Sequence, residues 1–137
     1  MTYAIDTNII ILYTKNLPNI IQKFDSIVSQ GADIVIPKMV DYEMRRGFRI
    51  QSVPKIERLY NEMSNTPNCF CKIIGLDNNC WERAERIYSE LYQKRFTVGE
   101  MDILIAAICL ENSYVLITNN EKDFKNINGL IIENWII

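Results

Sequence analysis

Carboxylates must carry any hydrolytic chemistry in this chain, whose 137 residues include 17 Asp and Glu and no histidine. Four of these acids stand where alternating strands and helices would bring them together. Asp6 closes the apolar run Tyr3-Ala4-Ile5, and Asp123 follows Thr118-Asn119-Asn120 just after the run Tyr114 to Ile117. Glu43 comes about two helical turns after the run Asp33 to Ile36. Asp102 opens an apolar helical stretch after Gly99. In open α/β sheets a ligand site forms beyond the carboxyl ends of the strands, where strand order reverses, so these positions can face one crevice.

Each acid alone has a plainer reading. Asp6 can cap a helix starting near Asn8, Glu43 can be a surface helix charge, and Asp123 a turn residue. Asp102 can be a first-turn charge favoured by the helix macrodipole. Together they point elsewhere, because Asp6, Glu43 and Asp102 have apolar neighbours: Ile5; Val40 and Met44; Met101, Ile103 and Leu104. Carboxylates crowded into such surroundings repel one another and resist ionisation unless a cation joins them. Mg²⁺ or Mn²⁺ takes oxygen ligands and keeps several waters, which suits a site without histidine. Phosphodiester hydrolysis is the chemistry that fits.

The elements that must position these acids follow from periodicity. Strands are expected at Tyr3 to Ile5, Asp33 to Ile36, Phe70 to Ile74, Tyr114 to Ile117 and Leu130 to Glu133. Helical spacing appears at Ile20, Phe24, Ile27 and Val28 after Pro18, and at Ile56, Leu59, Tyr60 and Met63 after Pro54. A longer helix capped by Asp77 places Trp81, Ala84, Ile87, Tyr88 and Leu91 on one face. The stretch from Ile103 to Leu110 is apolar nearly all round, as in a central buried helix. Strands alternating with helices imply a mainly parallel sheet covered on both faces, and no linker or repeat divides residues 1–137, so one domain is expected.

Composition narrows the classes. Cys69, Cys71, Cys80 and Cys109 lack zinc-site spacing and read as buried, reduced thiols. No apolar run approaches the roughly 20 residues that span a bilayer, and no signal-peptide pattern is present, so a cytoplasmic protein without membrane attachment is expected. A net charge of -2 requires any nucleic-acid footprint to be local. Lys38, Arg45, Arg46 and Arg49, clustered around Glu43, are the candidates for phosphate contact, with a solvated helix face as the alternative.

The chain resembles the PIN-domain family, and within it the VapC-like ribonuclease toxins of type II toxin-antitoxin systems. The likeness lies in Tyr3-Ala4-Ile5-Asp6-Thr7-Asn8-Ile9, in Ile36 through Gly47, in Val98 through Ala107, in Leu116 through Phe124, and in the ending Gly129 through Trp135. It implies an α/β/α sandwich with a parallel sheet of four to five strands in the order 3-2-1-4-5. It also implies Mg²⁺- or Mn²⁺-dependent endonucleolytic cleavage of RNA by a metal-activated water, an antitoxin partner and a homodimer. Asp6, Glu43 and Asp102 match the family's three main acids. Many members carry a further acid two residues after the Thr of the fourth motif. Asn120 stands there in this chain, and Asp123 takes the supporting metal role. Asn8, Thr118 and Asn120 are expected to orient carboxylates or water from behind the ligands. Two alternatives are a PIN nuclease of RNA maturation without an antitoxin and a catalytically silent PIN-fold binding module.

Overall fold

The computed structural model describes residues 1–136. Its elements run β1 (Thr2–Ile5), α1 (Thr7–Thr14), α2 (Pro18–Ser29), β2 (Asp33–Pro37), α3 (Lys38–Ile50) and α4 (Pro54–Ser64). They continue through β3 (Cys71–Ile74), α5 (Asn78–Gln93), α6 (Glu100–Asn112), β4 (Val115–Ile117), α7 (Glu121–Phe124) and β5 (Ile132–Glu133). The strands form one sheet in the order β3-β2-β1-β4-β5, every neighbouring pair parallel. This is the expected strand order.

Chain direction and register place the chemistry. β1 lies between β2 and β4: the chain winds outward from β1 through β2 to β3 and then crosses back to β4 on the other side, so the strand order reverses there. Ile5 pairs with Ile117, and the Asp6 amide extends the ladder to the Ile117 carbonyl at 3.0 Å. Asp6 and Thr118 therefore leave adjacent strands side by side. β2 passes into α3 with no intervening loop, so Glu43 lies in the second turn of a helix rooted in the sheet.

Buried side chains from both layers form one cluster, including Ile5, Ile9, Phe24, Ile36, Tyr60, Ile105, Ile108 and Leu116. Helix α6 is the central helix expected, with Ile103 and Ile105 to Cys109 buried. Helix α5 departs from expectation. Its core face consists of Cys80, Ala84, Ile87 and Leu91, while Trp81 and Tyr88 are half exposed at its edge. Both fit the helical period, yet their large rings lie at the margin of the stripe. Cys71, Cys80 and Cys109 are buried and all four cysteines are unpaired, as the composition implied. Among the described residues no helix is long and apolar enough to cross a membrane.

Candidate active site

Asp6 is buried to 5% exposure with three donors on its carboxylate. The Thr7 amide donates to Oδ1 at 2.8 Å, while the Thr118 hydroxyl and the Asn8 amide donate to Oδ2 at 2.8 and 3.3 Å. Burial pushes the acid above its ordinary range, and these three bonds act against that rise. Thr118 is itself fully buried and receives the Asn120 backbone N–H at 2.9 Å. Asn8 accepts the Asn119 N–H at 3.0 Å, so Asn8 and Thr118 bind the ends of β1 and β4 together around one carboxylate.

Asp102 lies in the first turn of α6. Its carboxyl is pushed up to about 6 by burial first, then by the negative charges of Asp6, Asp123 and Glu43. The Asn120 side-chain amide reaches both Asp123 Oδ2 at 3.0 Å and Asp102 Oδ2 at 3.4 Å, standing between two acids. Thr7, not anticipated from its residue type, donates its hydroxyl to Glu43 Oε1 at 3.1 Å. The only trace of that contact in the sequence was its place beside Asp6.

The structure thus brings Asp6, Glu43, Asp102 and Asp123 to one edge, where the charges of the other three add to burial in raising the Asp102 carboxyl. Among the described residues no three acidic or cysteine side chains close into a ready-made ligand set. Four carboxylates facing one another with only neutral donors between them repel, and a compact set is unfavourable without a counter-charge. The donor set is all oxygen and its negative charge is uncompensated, so these residues fit a hard divalent cation.

The basic residues divide into two kinds. Arg45 is committed within the fold: Nε donates to Asp41 Oδ1 at 3.2 Å, Nη2 to Asn61 Oδ1 at 3.1 Å, and the guanidinium covers the Tyr60 ring at 5.3 Å. Asp41, only 2% exposed, also accepts the Tyr60 hydroxyl at 2.7 Å and Lys38 Nζ at 3.0 Å. Burial would raise the Asp41 carboxyl, but these hydrogen bonds and the Arg45 charge hold it below its usual range. Of the residues expected to contact RNA, Arg45 is the one whose donors Nε and Nη2 are engaged in tying α3 to α4. Lys38 keeps a side chain 62% exposed despite its pairing with Asp41. Arg46 and Arg49 are exposed, Arg46 lying 5.0 Å from the ring centre of the exposed Tyr42.

Comparison with known proteins agrees with this geometry. The PIN domain profile matches residues 3–130. Ribonuclease VapC1 of Haemophilus influenzae is 30% identical over 141 residues, with 98% of each chain covered. Ribonuclease VapC2 of Rickettsia felis is 28% identical over 140 residues, again covering 98% of each. The crystal structure of VapBC2 from Rickettsia felis, bound to a DNA fragment from its promoter, superposes with a TM-score of 0.86. That match has 26% identity and covers 98% of this chain and 99% of the other. With Asp6, Glu43 and Asp102 at the carboxyl edge of a 3-2-1-4-5 parallel sheet, and likeness over nearly its whole length, the chain belongs to the PIN domain family, on its VapC branch.

Proposed function

We propose that this chain is a metal-dependent endoribonuclease, a single PIN domain over residues 1–137 that acts as the toxin of a type II toxin-antitoxin pair. The ribonuclease names of its full-length relatives support the activity, and the VapBC2 complex supports an antitoxin partner. The observation that carries the reading is the carboxyl of Asp102, pushed up to about 6 at an edge shared with Asp6, Asp123 and Glu43. Such a concentration of unneutralised charge is a standing cost to the fold unless it serves a cation.

Asp6, Asp102, Glu43 and Asp123 would hold Mg²⁺ or Mn²⁺, which when bound would activate a water and stabilise charge on the scissile phosphate. The protein's own contribution is placement. Thr118, Asn8 and the Thr7 amide fix both oxygens of Asp6. The Thr7 hydroxyl orients Glu43, and Asn120 spaces Asp102 from Asp123. Lys38, Arg46 and Arg49, on the helix that carries Glu43, would hold the RNA backbone without reading its sequence. An antitoxin segment reaching the same edge would compete with RNA for them. A homodimer is part of this reading. Its support is the exposed aromatic row Trp81, Tyr88 and Tyr92 on α5, beside a cavity of about 380 Å³ lined by Ala84, Ile103 and Leu104.

The test is cleavage of RNA by the purified protein with Mg²⁺ or Mn²⁺, alongside Asp6→Asn. The variant is expected to keep its circular dichroism spectrum and to lose about 100- to 1,000-fold in rate, together with toxicity on induction. Cleavage at the wild-type rate by that variant would refute the assignment.

A further inference from the structure

The residues that follow the last strand connect to the candidate site by an unbroken path. Trp135, 3% exposed, packs edge-on against Phe24 at 5.3 Å and lies 6.1 Å from the Tyr3 ring, which fixes the chain after β5. Asn134, just before it, accepts the Ile136 N–H on Oδ1 at 3.0 Å. Its amide nitrogen donates to Asn119 Oδ1 at 3.1 Å and to Glu121 Oε2 at 3.3 Å. The Asn119 backbone N–H in turn donates to Asn8 Oδ1 at 3.0 Å, and Asn8 Nδ2 donates to Asp6 Oδ2 and Thr118 Oγ1 at 3.3 and 3.4 Å.

We propose that Asn134 is a positioning residue for the nuclease site, acting through Asn119 and Asn8 on the carboxylate of Asp6. A side-chain amide presents either its oxygen or its nitrogen according to its partners. The N–H of Asn119 requires the Asn8 oxygen, and that requirement turns the Asn8 nitrogen toward Asp6. The two bonds from Asn8 Nδ2 are long, so a small shift of the turn from β4 to α7 breaks them. Asn134 holds that turn from outside, through both Asn119 and Glu121, and is anchored by the adjacent Trp135, buried against Phe24 and Tyr3. A residue remote from the acids in sequence thereby sets the orientation of one of them, as partners behind metal ligands do.

The inference rests on the metal reading of the site, and the experiment separates the two. Asn134→Asp keeps the size of the side chain and the acceptor for Ile136, but removes both donors. Its added negative charge alone would tighten cation binding, so weaker binding reports lost positioning. Calorimetry with Mn²⁺ on the full chain is expected to show about three- to tenfold weaker affinity in Asn134→Asp and in Asn134→Ala. Hydrogen exchange of the Asn119 N–H in the metal-free protein is expected to accelerate by a similar factor. Met63→Val, a packing control buried in α4 and outside this path, is expected to lower Tm with Mn²⁺ affinity unchanged. Wild-type Mn²⁺ affinity and wild-type Asn119 protection in both Asn134 variants would overturn the inference. A wild-type chain that takes up no Mn²⁺ overturns the metal reading instead, and Asn119 exchange then decides the path by itself.

Discussion

The Thr7 hydroxyl donates to Glu43 Oε1 across 3.1 Å, joining the first turn of α1 to the second turn of α3. The same residue's backbone N–H donates to Asp6 at 2.8 Å, so one threonine orients two acids by independent bonds. Thr7→Val is nearly isosteric and removes only the hydroxyl. It is expected to slow RNA cleavage about tenfold, with Tm moved by no more than about 2 °C, and Thr7→Ser is expected to recover most of the loss. Single-turnover rates would show it; equal rates for Val and Thr would mean that Glu43 needs no such support.

Asp102 gives the metal-free protein a pH dependence of definite sign. Its carboxyl titrates near 6 in the fold against an ordinary value of 3.8. A raised acid contributes stability that is fully present below the lower value and lost as pH rises through the higher one. Thermal melts in chelator should therefore show Tm rising as pH falls from 7 toward 5. Asp102→Asn should reduce that rise, leaving the part of the same sign that the raised Asp6 carboxyl contributes, and melt higher than wild type at pH 8. Mn²⁺ should reverse the order, stabilising the wild type but not the variant. Asp41 does not confound the window. Its carboxyl lies below 3.8, so the stability it contributes is lost only in stronger acid.

Arg45 and Arg49 sit one helical turn apart on α3 and should fail differently. Arg45→Ala leaves the buried Asp41 without one of its partners and is expected to cost about 1–3 kcal/mol. In a domain of this size that lowers Tm by roughly 3–10 °C. Arg49→Ala and Arg46→Ala should leave Tm in place. Each should instead weaken RNA binding and flatten its dependence on salt by about one counterion. Melting curves and binding titrations at several salt concentrations would separate the two classes, and a stable, RNA-defective Arg45→Ala would reverse the assignment.

What was legible in the sequence is what local pattern can carry. Asp6 ends an apolar strand, and Asp102 opens a helix that is apolar all round; both signals lie within a few residues of the acid itself. The family likeness put Asn8, Thr118 and Asn120 behind the acids, but the individual pairings were not legible, because the partners are far apart along the chain. Asp41 meets Tyr60 across 19 residues, Thr7 meets Glu43 across 36, and Asn119 meets Asn8 across 111. A run of arginines near Glu43 suggested one basic surface, and only the packing of α4 shows that Arg45 is bonded to Asn61 and stacked on Tyr60. The half-exposed Trp81 and Tyr88 mark the same limit: helical period assigns a face, while the neighbouring layer decides how wide that face is.

Asn120 sets the charge of the site. Its amide nitrogen lies 3.0 Å from Asp123 and 3.4 Å from Asp102, tempering repulsion between two acids that would otherwise confront each other directly. A neutral group here leaves less negative charge to hold a second cation, so the wild-type chain is expected to take up one Mn²⁺ tightly, with a second recruited only alongside RNA phosphates. Asn120→Asp replaces the donor by another carboxylate. Without metal it should lower Tm at pH 8, because the added charge has no partner. With metal it should raise the Mn²⁺ stoichiometry to two per chain. Calorimetry of both proteins without RNA reads the number directly. Two tight sites in the wild type, or one in Asn120→Asp, would show that this position does not control metal count.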